Sequence, residues 1–195
     1  MIAMAKKYEF RPDKARINLL SYLMLTPNQR KNALKWGLYA ALLVFLSLVQ
    51  DVVLSRLRLQ GAATELVPCV IFLICIIEGS EKSCVFALVA SLLYLFSGTA
   101  PGLYSMVAIT FLSVGVCLFR QAFLQESFSS ALLCTAVAMV GYTLVNFVLG
   151  LFLKLTPLSR FHGFLITAGL SLLAVPVLYP VLKAISTIGG QSWKD

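Results

Sequence analysis

Charge is scarce in this chain, and acid is scarcest. Eight aspartates and glutamates stand against sixteen lysines and arginines in 195 residues, with a single histidine. Charged residues make up 12% of the sequence, against roughly 25% in a soluble globular domain. His162 has no second histidine or neighbouring cysteine to complete a metal set, so it is expected to be a solvated loop residue. Cys69, Cys75, Cys84, Cys117 and Cys134 form no Cys-x-x-Cys pair and all lie in apolar runs. They read as small buried hydrophobes, not as ligands or disulfide partners. There is no His-Glu-x-x-His and no glycine-rich loop placed to cradle a phosphate. Ser97-Gly98 follows Leu95-Phe96 and lacks the leading glycine of a nucleophile motif. Nor is there a run of ionisable groups of the kind that lines an ion pathway. No catalytic residue, metal site or cofactor is expected, and the chain does not read as an enzyme.

What is present is oil and a basic head. Hydrophobic residues make up 59% of the chain, more than a core of this size can hide. Half of the lysines and arginines fall in the first 35 residues: Lys6, Lys7, Arg11, Lys14, Arg16, Arg30, Lys31 and Lys35 oppose only Glu9 and Asp13. A net charge of +8 placed beside a first apolar run is the positive-inside signal of a membrane protein, not a nucleic-acid footprint. The same head can meet anionic lipids. The sequence divides into a basic cytoplasmic segment over 1–35, a transmembrane helical domain over 36–188 and a short tail over 189–195.

Apolar runs predict about six helices. The first covers Trp36 to Leu54, with Trp36 and Tyr39 suited to an interface. Leu66 to Ile77 and Ser83 to Phe96 are short for a crossing of about 20 residues. They meet at the polar turn Glu78-Gly79-Ser80-Glu81-Lys82 and either cross or form a re-entrant hairpin. Ser97 to Gly102 breaks the helix. Leu103 to Phe119, Phe128 to Leu153 and Phe164 to Ile188 follow, the last bent by Pro176 and Pro180. Six crossings, or four with a hairpin, leave both termini on the cytoplasmic side.

Polar groups within such a body are costly and mark function or helix contact. Gln50 and Asp51 fall at the far end of the first run, where a hydrated helix end with Arg56 as partner is the simplest expectation. Glu65 and Glu78 flank the second run and are expected at opposite faces, too far apart to share acid–base work. Tyr142 and Asn146 are four residues apart and share one helix face. They serve either helix packing, through an interhelical hydrogen bond of about 0.6 kcal/mol, or a pocket.

The order of features resembles the rod shape-determining protein MreD family. Leu48-Val49-Gln50, Leu57-Arg58-Leu59-Gln60-Gly61 and Glu65-Leu66 are similar to that family's first outer turn. Glu78-Gly79-Ser80-Glu81-Lys82, Ser97-Gly98 and Pro101-Gly102-Leu103 continue the pattern. Ala174-Val175-Pro176-Val177-Leu178-Tyr179-Pro180 resembles the last helix. The likeness covers about residues 36–188. The family usually has Pro-Asp-Leu where this chain has Thr64-Glu65-Leu66, and it commonly carries an Asp where this chain has Leu93-Tyr94-Leu95.

The resemblance implies a non-enzymatic membrane scaffold of bacterial cell elongation and lateral peptidoglycan synthesis. It implies a place in the cell membrane beside an MreC-like single-span protein, and through it contact with MreB and the peptidoglycan synthases. Gln50, Arg56, Arg58, Glu65, Pro101 and Gly102 are then the expected partner-contact positions. The alternative is the substrate-binding membrane subunit of an energy-coupling-factor vitamin transporter, similar in architecture, with Tyr94, Tyr142 and Asn146 as the pocket.

Overall fold

A computed structural model describes residues 27–54, 64–98, 100–123, 127–157 and 161–188, and every regular element among them is a helix. In chain order these are α1 (Pro27–Val49), which runs into one π-helical turn over Gln50–Leu54, then α2 (Leu66–Glu78), α3 (Glu81–Phe96), α4 (Leu103–Phe123), α5 (Phe128–Phe152), α6 (Phe161–Leu172) and α7 (Val175–Ile188). The basic head before Pro27, the tail after Ile188, Arg56, Arg58 and Arg160 lie outside the described residues.

α1 begins nine residues before the apolar run that starts at Trp36. Pro27 occupies the first helical position, where its missing N–H costs nothing. Arg30, Lys31 and Lys35 therefore ride on the same helix as the membrane run.

Among the described residues three helices are long and apolar enough to cross a membrane: Gln29–Val52, Leu103–Gln121 and Phe128–Phe152. α6 and α7 pass the same test as a pair and are bent by 46°. The break falls at Leu173-Ala174, just before Pro176, whose ring cannot continue the preceding helix. The outward faces of the long helices are apolar. Val107, Phe111, Val114 and Leu118 on α4, and Leu133, Val137, Val140 and Leu144 on α5, are all exposed. Exposed apolar stripes of that length fit lipid, not water.

α2 has the opposite character. All eleven residues from Leu66 to Ile76 are buried. A helix that is hydrophobic all round belongs inside, and α2 packs against α1 and α3 through α7 alike. At 13 residues it is about 20 Å long, shorter than the roughly 30 Å hydrocarbon layer.

Contacts along α2 order its neighbours into alternating directions. At its C-terminal end, Lys35 Nζ on α1 pairs with Glu78 Oε2 at 2.8 Å, and Tyr39 donates to Glu78 Oε1 at 2.9 Å. The same tyrosine reaches the Leu182 carbonyl on α7 at 3.4 Å. Gln121, near the end of α4, donates to the Gly79 carbonyl at 3.1 Å. At the opposite end, residues from the last turn of α1, the middle of α5 and the end of α6 gather around Glu65. This is where the polar groups concentrate.

Candidate functional site

The N-terminus of α2 is buried, so its free N–H groups need partners inside the protein. Four positions are concerned, Glu65, Leu66, Val67 and position 68. Gln50 Oε1 accepts from both Leu66 N–H (2.8 Å) and Val67 N–H (3.1 Å). Ser171 Oγ on α6 accepts from Glu65 N–H at 2.9 Å. Position 68 is proline and has no N–H. Every free donor at this helix start is therefore accounted for. The π-helical turn at the end of α1 places Gln50 for this task, consistent with the tendency of such turns to occur at special sites. The hydrated helix end expected for Gln50 is corrected here, because Gln50 is buried and caps α2.

Glu65 is the N-cap residue of α2, yet its side chain makes no capping bond. Its carboxylate turns instead toward Tyr142 on α5. Tyr142 also faces Asn146, one turn on, and Tyr94 on α3 lies within reach of Tyr142, Gln50 and the Glu65 charge. Tyr94, Tyr142 and Asn146 are at most 3% exposed. Glu65 itself is only partly covered, although its Oε2 is shielded. The Tyr94 and Tyr142 hydroxyls, Asn146 Oδ1 and Glu65 Oε2 close no hydrogen bond of good geometry. Phe72 packs edge-on against Tyr142, with ring centroids 6.2 Å apart, and closes the floor on the α2 side.

The three residues expected to form a pocket, Tyr94, Tyr142 and Asn146, therefore come together. Gln50 and Glu65, expected at a partner surface, join them from α1 and α2. Pro101 and Gly102, just before α4, are linked to this cluster only through Tyr104. Pro101 is exposed, and Gly102 is covered by the Tyr104 ring so closely that a Cβ would come 2.5 Å from Tyr104 Cε1. Tyr104 donates to the Pro101 carbonyl at 3.3 Å and lies within electrostatic range of Glu65. Tyr142 and Asn146 were legible from their spacing of four. Ser171 carried no sequence signal, since a serine in an apolar run usually bonds back to its own helix, as Ser171 also does to the Thr167 carbonyl at 2.8 Å.

At the other end, Cys75, Cys84 and Cys117 approach one another around Ser83. Ser83 Oγ lies 3.4 Å from Cys117 Sγ. All five cysteines are free thiols. Among the described residues no three His, Cys, Asp or Glu side chains gather in a way that holds a metal ion. An apolar groove of about 490 Å³ runs between α4 and α5, with Gly115, Ala138 and Gly141 in its lining.

The chain matches no family model, no curated protein and no solved structure.

Proposed function

We propose that this chain is a non-enzymatic scaffold of the bacterial cell-elongation machinery, a multi-pass protein of the cell membrane with six crossings and both termini in the cytoplasm. The observation that carries this reading is the order of MreD-like motifs from Leu48 to Pro180. Two further features support it. The charged and amide side chains Lys35, Glu78, Gln50 and Gln121 are engaged in holding helices together. The surface left over is apolar and includes a groove with small residues in its lining. In a bilayer, helices associate through close packing at small residues, which suits contact with a single-span, MreC-like partner. MreB and the peptidoglycan synthases are reached through that partner.

A second reading is favoured by one specific observation. Tyr94, Tyr142 and Asn146 converge from two helices, as they would in the substrate-binding subunit of a vitamin transporter of the energy-coupling-factor type. Pockets of that kind need a few convergent polar groups within an apolar wall.

One experiment separates the two. The protein, tagged at its C-terminus, is extracted gently from its native membrane and the co-purifying proteins are identified. An MreC-like protein with wall synthases is the expected result. A pair of transporter ATPases with their membrane coupling subunit would overturn the scaffold reading in favour of the second.

A further inference from the structure

The acid at the start of α2 does not cap its own helix. Acidic side chains just before a helix normally cap it, but here Gln50 and Ser171 already accept the available N–H groups. The Glu65 carboxylate is instead turned toward Tyr142, which also faces Asn146, with Tyr94 within reach; the last three are buried, and although the four groups face one another, their oxygens close no hydrogen bond of strict geometry. Polar groups in such surroundings are expensive when unpaired, and four of them from α2, α3 and α5 meet here.

From this arrangement we infer that Glu65, Tyr94, Tyr142 and Asn146 form a binding site for a primary ammonium group. The match is one of hydrogen-bond roles. Glu65 Oε2 and Asn146 Oδ1 can only accept while the carboxyl is ionised, and the two phenolic oxygens can accept as well. An ammonium group brings three N–H donors and one positive charge. It therefore answers the oxygens and the carboxylate together. A quaternary ammonium brings the charge without donors. A neutral diol brings donors and leaves the charge uncompensated, and an anion is repelled by Glu65. Glu65 is the one member of the cluster that is partly exposed, within electrostatic range of Tyr104. The ammonium group belongs either to a soluble amine or to an ethanolamine lipid headgroup, the two sources of a primary ammonium that the experiment separates. The inference stands on the cluster and on neither reading of the protein's role.

The test uses the full chain in phosphatidylcholine nanodiscs, with the melting temperature followed against ethanolamine, choline, ethylene glycol and glycolate. Ethanolamine alone is expected to raise it, since a ligand that binds only the folded state stabilises it by mass action. Glu65→Gln, which keeps the shape and removes the charge, should weaken ethanolamine at least about tenfold, equivalent to about 1.4 kcal/mol. Tyr142→Phe removes one oxygen and should weaken it less, which serves if Glu65→Gln does not fold. A second arm replaces part of the lipid with phosphatidylethanolamine. If the lipid is the source, it raises the melting temperature by itself and abolishes the effect of free ethanolamine; if a soluble amine is the source, that effect persists. Either pattern supports the site. No response to either amine, an equal response to choline, or undiminished binding by Glu65→Gln would overturn it. None of these outcomes bears on the scaffold reading, which the co-purification decides.

Discussion

One side-chain oxygen at Gln50 fixes the geometry of the candidate site. It holds two N–H groups of α2, so the helix start stays where Glu65 can face Tyr142. Water cannot replace that oxygen cheaply in an apolar interior. Gln50→Ala would leave two buried donors unsatisfied, at about 1–3 kcal/mol each. It should lower the melting temperature of the purified protein markedly. Ser171→Ala leaves a single N–H, that of Glu65, without its acceptor and should cost about 1–3 kcal/mol. Because both substitutions act on the same turn, their effects should not add. Equal melting temperatures for wild type and Gln50→Ala would show that the cap is unimportant. Glu65→Gln should behave differently from both, with little loss of stability, since its side chain caps nothing.

At the scale of elements, the turn between α2 and α3 is a tightly constrained joint. Gly79 lies at φ +54°, in the left-handed region, and donates its N–H to the Cys75 carbonyl at 2.9 Å. The Arg120 side chain lies against it so closely that any Cβ would collide with the guanidinium. Gly79→Ala therefore meets two penalties, a backbone conformation worth about 1–2 kcal/mol and displacement of Arg120. It should lower the melting temperature clearly, whereas Gly115→Ala, with nothing within 4 Å of a new Cβ, should change it little. A tolerated Gly79→Ala would remove this joint as a fixed point. The sequence already carried part of this picture. The run Leu66 to Ile77 is apolar at every position, which marks a buried helix, and Gly79 after it marks the stop. Tyr142 and Asn146 share a face by spacing alone. The early start of α1 was hidden because Asn28 to Lys35 is polar, so hydropathy placed the border at Trp36. The π-helical turn, and the meeting of Glu65 and Ser171 across 106 residues of separation with Gln50 beside them, depend on tertiary packing and have no local signature.

For the whole molecule, the helix directions bear on topology in a way the loop composition does not. Among the described residues, Arg30, Lys31, Lys35, Lys82, Arg120 and Lys183 lie toward the end where Lys35 meets Glu78 and Lys154 toward the Glu65 end; Arg56 and Arg58, after α1, and Arg160, before α6, lie outside the described residues, so these charges do not by themselves fix the orientation. The basic head ahead of α1 has the sense of the positive-inside rule for that end, so the proposed orientation puts the Glu78 end on the cytoplasmic side. A six-crossing chain brings the turn between α2 and α3 to the cytoplasmic face; a re-entrant hairpin entering from the other side does not. The Lys35–Glu78 pair fixes the depth of that turn. Lys35 is eight residues into α1, about 12 Å along its axis from Pro27, so the turn sits level with the early, basic part of α1. Lys82 follows it and is exposed. In the six-crossing arrangement, Lys82→Cys should react with a membrane-impermeant maleimide in inside-out vesicles and not in right-side-out cells. The wild-type chain gives the background from its own cysteines, of which Cys69, Cys75 and Cys117 are buried. Labelling from outside would reverse the orientation. Absence of labelling from both sides, with the substituted protein folded, would place the turn within the membrane and reduce the crossings to four.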